Sequence, residues 1–339
     1  MKAIRKTIVT VTIGALTTLL LGVTGATYSI LAQAQTFPAK PVTLMVPYPP
    51  GGLSDVIARR VNAPLSKALG QPVLVDNLGG ASGSIAAQKV LAAPSDGYLV
   101  FQGSPNELIF APLAISSVKY KPEDFRQIHR VGMAPMAIMA RADLPANNAD
   151  ELVAYAIKAA KDGKSMSYGS VGIGSFYHLL GEQMSKVIGA PMLHVPYKGG
   201  ADVFKDMIGG QVDVFLSPYG APQVELAKGG KIKFIAALSP SRGPLMQQLP
   251  STTESKLLKS FTAEIGTGYF VKRDTPEPVV QALHKAIQAV MVDPEFKTSI
   301  VALGQEMSPL QSLDAASKAF ADETAQYRAI AKAINLQPQ

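Results

Sequence analysis

Residues 42–55 read Val42-Thr43-Leu44-Met45-Val46-Pro47-Tyr48-Pro49-Pro50-Gly51-Gly52-Leu53-Ser54-Asp55. A short apolar run stops at a Pro/Gly loop, and Ser54 then opens an apolar-periodic stretch through Val56, Ile57, Val61, Leu65 and Leu69. This order predicts a strand, a tight loop and an N-capped helix. The pattern recurs downstream, with Pro72–Val75 as strand, Gly79-Gly80-Ala81-Ser82-Gly83 as turn, a helix running to Ala93, and a strand at Tyr98–Phe101. Alternating strands and helices predict an α/β fold whose parallel or mixed sheet is covered on both faces.

A second series begins at Met136. Strands are predicted at Ala137–Ala140, Met166–Ser170, Leu193–Val195, Val214–Leu216 and Ile232–Ala237. Helices intervene at Ala149–Ala160 behind an Asn148 cap, from a Ser175 cap to Ile188, and near Ala201–Ile208, which makes a second α/β lobe. Beyond a polar region, Ser239–Lys259, the pattern gives a strand at Gly268–Val271 and helices at Pro276–Val292, Pro294–Ala302 and Leu313–Ile334. Periodicity alone assigns these last helices to neither lobe.

The first residues read as a secretory leader. Lys2, Arg5 and Lys6 precede an apolar stretch, Ile8–Val23, and small residues ending in Ala32-Gln33-Ala34; this order is that of a cleaved signal peptide over 1–34 and an extracytoplasmic, periplasmic destination. Thr12, Gly14, Thr17, Thr18, Gly22 and Thr24 interrupt the run, against a membrane anchor. Of the formal net charge of +7, three units leave with Lys2, Arg5 and Lys6. Basic and acidic residues are interspersed thereafter, which argues against a nucleic-acid partner. The absence of cysteine excludes disulfides and thiolate metal sites, and four scattered histidines give no metal spacing. No metal or cofactor is expected.

The recurring chemical feature is a Gly- and Ser-rich loop between a strand end and a helix, where backbone N–H groups and the positive helix end converge. Gly51, Gly52 and Asp55 belong to the first such loop. Asp55 there either complements the helix dipole or contacts ligand. The richest is Gly169-Ser170-Val171-Gly172-Ile173-Gly174-Ser175-Phe176-Tyr177-His178, an anion nest with spare hydroxyls. His178, in a first helical turn, suits a neutral hydrogen-bonding role, and His194 reads as a core histidine. Tyr197-Lys198-Gly199-Gly200, Ser104 and Pro218-Tyr219 occupy equivalent strand ends. Tyr177 stands where a dinucleotide fingerprint needs its third glycine, and no nucleophile elbow, Walker loop or zinc-protease motif occurs. A serine hydrolase built from Ser175 or Ser82 with His178 or His194 is the alternative to binding without turnover. A sensing module for a signalling partner is another.

Several stretches together resemble the Bug family, the extracytoplasmic receptors of tripartite tricarboxylate transporters. They are Phe37-Pro38-Ala39-Lys40-Pro41-Val42, Val46-Pro47-Tyr48-Pro49-Pro50-Gly51-Gly52 with Asp55, Ala68-Leu69-Gly70-Gln71-Pro72-Val73, and Ala93-Pro94-Ser95-Asp96-Gly97-Tyr98. Gly174-Ser175 with His178, Val195-Pro196-Tyr197-Lys198-Gly199 and Gly209-Gly210-Gln211-Val212-Asp213 continue the order along the chain. The resemblance implies a two-lobe periplasmic-binding-protein fold of type II kind, with two parallel or mixed sheets flanking a cleft. Lobe I would comprise 35–134 with 260–339, and lobe II 135–259, with hinges near Ala134–Ala137 and Lys259–Glu264. It further implies a monomer that binds a small carboxylate and delivers it to integral membrane subunits of the transporter.

Carried over to this chain, the family's ligand loops correspond to Pro49, Gly51, Gly52, Asp55, Ser170, Gly174, Ser175 and Lys198, with Ser82, Ser84 and Ser104 in loops of variable length; Tyr48 and Gly199, in the same matching stretches, are further candidate ligand contacts. Phe176-Tyr177 replaces the Thr-Pro or similar small pair of many relatives, and Gly80-Ala81-Ser82-Gly83-Ser84 replaces a Gly-Ala-Gly-Gly-Asn type loop. Phe176 and Tyr177, in the first helical turn, either flank a ligand or pack against the neighbouring lobe; where they line the cleft, their extra π surface favours a flat or aromatic carboxylate, such as terephthalate, over citrate.

Overall fold

The computed structural model describes residues 37–242, 246–333 and 336–338; the leader expected over 1–34 lies outside them. The first half runs β1 (Val42–Val46), α1 (Leu53–Leu69), β2 (Val73–Asn77), α2 (Ser84–Ala92) and β3 (Leu99–Gly103). A π-helical turn (Asn106–Phe110) then leads into α3 (Ala111–Ala114) and the long β4 (Phe125–Arg141). Next come α4 (Ala149–Lys161), β5 (Ser167–Ser170), α5 (Phe176–Ile188), β6 (Leu193–Pro196), α6 (Gly200–Ile208) and β7 (Val214–Pro218). The chain continues through α7 (Ala221–Lys228), β8 (Ile232–Ala237), β9 (Glu264–Lys272), α8 (Glu277–Val292), α9 (Pro294–Val301), β10 (Glu306–Met307) and α10 (Leu313–Ala333).

The strands lie in the order β2-β1-β3-β9-β4-β7-β5-β6, with β8 and β10 also on β4. β2, β1 and β3 are parallel, as are β7, β5 and β6, while β9 and β4 run antiparallel to their neighbours. β4 joins the two halves. Its residues Phe125–Pro135 pair with β9, and Met136–Arg141 pair with β7 and β8. Pro135, which has no N–H to donate, stands where the strand changes partner.

This is the two-lobe α/β fold, with one core on each side of the exchange. One packs Met45, Phe101, Leu108, Phe125 and Phe270; the other packs Ile138, Tyr168, Leu180, Phe215 and Ile235. α8 and α9 pack against α1, and α8 and α10 against β4. Asp213, in the Gly-Gly-Gln-Val-Asp stretch, ties the second half together. Its carboxylate accepts from Ser167 N and Oγ and pairs with Arg141 Nε at 2.8 Å.

Three sequence expectations are corrected. β4 starts at Phe125 rather than Ala137, because its polar residues Arg126 and Arg130 are satisfied by Glu277 and Glu323 far along the chain. Ser54 does not cap α1; Gly52 holds the N-cap, and the Ser54 hydroxyl and carbonyl both accept from Gln102 Nε2. α7 and the π-helical turn interrupt stretches read without helix. By contrast, Asn148 and Ser175 cap α4 and α5 as expected, accepting from Glu151 N and His178 N.

Gly181 of α5 faces the fully buried ring of Tyr168, and a Cβ there would lie 2.0 Å from Tyr168 Cε2. Gly181→Ala is therefore expected to cost about 1–3 kcal/mol through overpacking, read as a lower urea midpoint. An unchanged midpoint would contradict this packing.

Candidate functional site

A cavity of about 510 Å³ lies between the two halves of the sheet. Most of its wall is apolar, with Leu53, Ile57, Val171, Phe204, Phe215 and Ile265 among the contributors. Such a surface suits the body of an organic ligand, while a few polar groups fix its orientation.

Two helix N-termini, one from each half, reach this cavity. α1 begins behind Gly52 and α6 behind Gly199; both N-caps are extended and neither supplies a side-chain cap. Gly52, Leu53 and Ser54 line the cavity from one side, and Gly199, Gly200 and Ala201 from the other. First-turn N–H groups have no intrahelical partner, so two such turns offer an anion several donors and two positive dipole ends. Gly199 also permits close approach: a Cβ there would stand 2.9 Å from Pro49 Cδ. Lys205 of α6 adds an exposed cation to the wall. Gly51 sits at φ +89, and its N–H donates to Asp55 Oδ2 at 2.9 Å. Asp55 is thus buried behind the loop and not on the cavity wall. Burial alone would raise its pKa, but Arg59 and the Gly51 amide hold it below the usual range.

The halves touch through the glycine-rich loop before α5. Ser82 Oγ donates to Ile173 O at 2.7 Å, and Phe176 N donates to Asn106 Oδ1 at 2.7 Å. Phe176 stacks on Phe110 with centroids 5.4 Å apart and meets Tyr327 edge-on. It packs between the halves instead of lining the cavity, whereas Tyr177 does line it.

His178 and His194 stack at 4.0 Å behind the same loop. Gly174 N donates to His178 Nδ1 at 3.1 Å, and His194 Nε2 meets Ser170 Oγ at 2.6 Å. Burial lowers both pKa values, that of His194 to about 4 with the neighbouring His178 adding to the effect. Both imidazoles therefore serve as neutral hydrogen-bonding groups. Ser175 and Ser82 spend their hydroxyls on the α5 cap and on Ile173, and Ser170 is buried away from the cavity.

The sequence-predicted residues thus divide. Tyr48, Pro49, Gly51, Gly52, Ser104, Tyr177 and Gly199 lie on the cavity wall. Ser82, Gly174, Ser175 and His178 shape the adjoining loop. Ser84 is buried at the start of α2, Lys198 is exposed off the wall, and the Tyr219 ring packs against Phe234. The sequence reading missed Gln102, Asn106, Glu107 and Lys205. Asn106 and Glu107 lie two and three residues beyond Ser104, so extending that strand end by three residues reaches them.

Glu107 is fully buried on the wall. Its Oε2 accepts from Ser104 N at 2.7 Å and Oγ at 2.8 Å, and its Oε1 accepts from the Tyr48 hydroxyl. Burial raises its pKa despite these bonds. Among the described residues, no cluster of His, Asp or Glu could hold a metal ion, and no helix is long and apolar enough to cross a membrane.

Residues 57–336 match the tripartite tricarboxylate transporter family receptor. This chain belongs to that family. The receptor is similar to the periplasmic binding protein BugD, with 32% identity, a TM-score of 0.82 and coverage of 89% of this chain and 100% of that one. MatC from Rhodopseudomonas palustris, solved with malate, shows 25% identity and a TM-score of 0.79 over 87% and 99% of the two chains. A further R. palustris protein, solved with adipate, shows 27% identity and a TM-score of 0.81 over 89% and 100%.

The histidine stack makes a pH prediction. Because His194 is depressed from 6.5 to about 4 in the folded receptor, the unfolded chain takes the proton first as pH falls. The neutral-histidine contribution is therefore full above 6.5 and lost between there and about 4. His194→Gln is expected to flatten the fall in melting temperature over that window; a parallel profile would contradict the neutral role.

Proposed function

We propose that this receptor captures a small carboxylate between its lobes, without transforming it, and delivers it to integral membrane subunits of a tripartite tricarboxylate transporter. The observation that carries the reading is the pair of side-chain-uncapped helix N-termini, behind Gly52 and Gly199, that meet on one cavity from opposite lobes. Relatives solved with malate and adipate support a carboxylate as the class. The leader pattern supports a periplasmic site of action.

The apolar wall and the rings of Tyr177, Phe204 and Phe215 favour an acid with a flat or apolar body over citrate, aromatic dicarboxylates included. Phe176 contributes to closure through its packing. We take 35–134 with 260–339 and 135–259 as the two bodies, pivoting where β4 changes partner and near 259–264. Ligand contacts from both bodies shift the population toward the closed form.

A thermal-shift screen of the mature protein against aliphatic and aromatic mono-, di- and tricarboxylates tests this. A ligand at a hundredfold excess over Kd should add about 2.7 kcal/mol of apparent stability. Lys205→Ala is expected to weaken the hit severalfold, and more at low salt than at high. Carboxylates that leave the melting temperature unmoved while amines raise it would refute the reading.

A further inference from the structure

The cavity wall holds a group that an anion site would not obviously contain. Glu107 is 0% exposed, and no cation lies within ion-pair distance of it among the described residues. The fold makes room for it, since a Cβ on Gly83, at φ +83, would stand 2.3 Å from Glu107 Cγ.

The surrounding hydrogen bonds have a fixed sense. Phe176 N–H faces Asn106 Oδ1, so that atom is the amide oxygen and Nδ2 must point the other way, toward the Tyr48 hydroxyl oxygen. Tyr48 therefore accepts from Asn106, and its own proton has two destinations. With Glu107 ionised, it goes to Glu107 Oε1. With Glu107 protonated, the carboxyl O–H donates to the Tyr48 oxygen, and the phenolic proton turns toward the cavity that Tyr48 lines.

We propose that Glu107 makes carboxylate capture proton-coupled: the receptor takes its ligand together with one proton, which settles on Glu107 and turns the Tyr48 hydroxyl into a donor to the ligand. The proposal rests on the carboxylate reading above. The proton comes from solvent and bonds to Glu107 Oε1; Tyr48 keeps its proton and only rotates its O–H. The driving force is that two carboxylates sharing a poorly solvated space cannot both stay ionised without a cation between them.

The other titratable groups facing Glu107 leave the effect in place. Tyr120 donates to the Glu107 carbonyl at 2.6 Å, and Tyr48, Tyr120 and Tyr177 are all held neutral, chiefly by burial and then by Glu107 itself. On the helices packed against the π-helical turn, Lys89 of α2 pairs with Asp76, and Glu323 and Arg328 of α10 pair with Arg130 and Glu123. Lys205, on α6, is exposed on the same cavity wall and is not ion-paired with Glu107.

Adipate is the probe. Its binding heat is measured at pH 7.5 in two buffers of different ionisation enthalpy, for wild type and for Glu107→Gln, whose amide mimics the protonated carboxyl. The expected result is uptake of a substantial fraction of one proton by wild type and none by the variant, with the variant binding about tenfold more tightly at that pH. Wild-type heats that do not depend on buffer would overturn the role of Glu107 while leaving the carboxylate reading standing, and that arm needs no variant to fold. A weaker Glu107→Gln would likewise overturn it, since it would mean that the charge is used. Adipate binding to neither protein would overturn this proposal, while the carboxylate reading stands or falls on the full carboxylate screen.

Discussion

A single strand has to serve two sheets. β4 pairs with β9 up to Pro135 and with β7 and β8 from Met136, so the two halves of the receptor are held in one continuous hydrogen-bonded ladder. A proline at the exchange leaves no N–H stranded while the partner changes. Because the parallel strands of both halves end at the same gap, the loops after β1, β3, β5, β6 and β7 converge there. The cavity follows from that arrangement, not from any one loop.

What the cavity can do is set by which backbone groups remain unsatisfied. α5 spends its N-terminus on Ser175, whereas α1 and α6 begin at glycines that donate no cap and leave first-turn amides for a guest. The same glycines permit close approach, and at Gly199 even one methyl group would collide with Pro49. In the proposed carboxylate site, positive charge therefore comes mostly from oriented dipoles, with one exposed lysine and no arginine among the residues that line the wall. Against that donor-rich surface stands Glu107, a buried acid whose proton inventory couples the phenol of Tyr48 to the contact between the halves through Asn106.

The alternation of strands and helices was legible because most elements carry their own signals. Val42–Val46 is a compact apolar run, and Asn148 and Ser175 are local caps whose partners lie three residues on. The first half of β4 was not legible, since Arg126 and Arg130 look like surface residues until Glu277 and Glu323 arrive from the far end of the chain. The site divides in the same way. Gly51, Gly52 and Gly199 announce themselves by backbone chemistry, but Glu107 acquires its character from Tyr48, which is distant in sequence. Lys198 stands in the loop before α6 and Lys205 on the helix itself, and of the two the second reaches the cavity wall; composition carries no trace of that. Phe176 sits in a ligand-like loop where sequence allows its ring either to flank a ligand or to pack against the other lobe; the fold takes the second course and uses the ring to join the halves.

The most direct test of the central claim is an amide chemical-shift map of the isotopically labelled receptor titrated with the tightest carboxylate found. The account predicts the largest changes at the first-turn amides of both α1 and α6, Leu53, Ser54, Gly200 and Ala201, moving together with one dissociation constant. Changes confined to one of these helices, or centred away from both, would contradict a ligand held between the two N-termini.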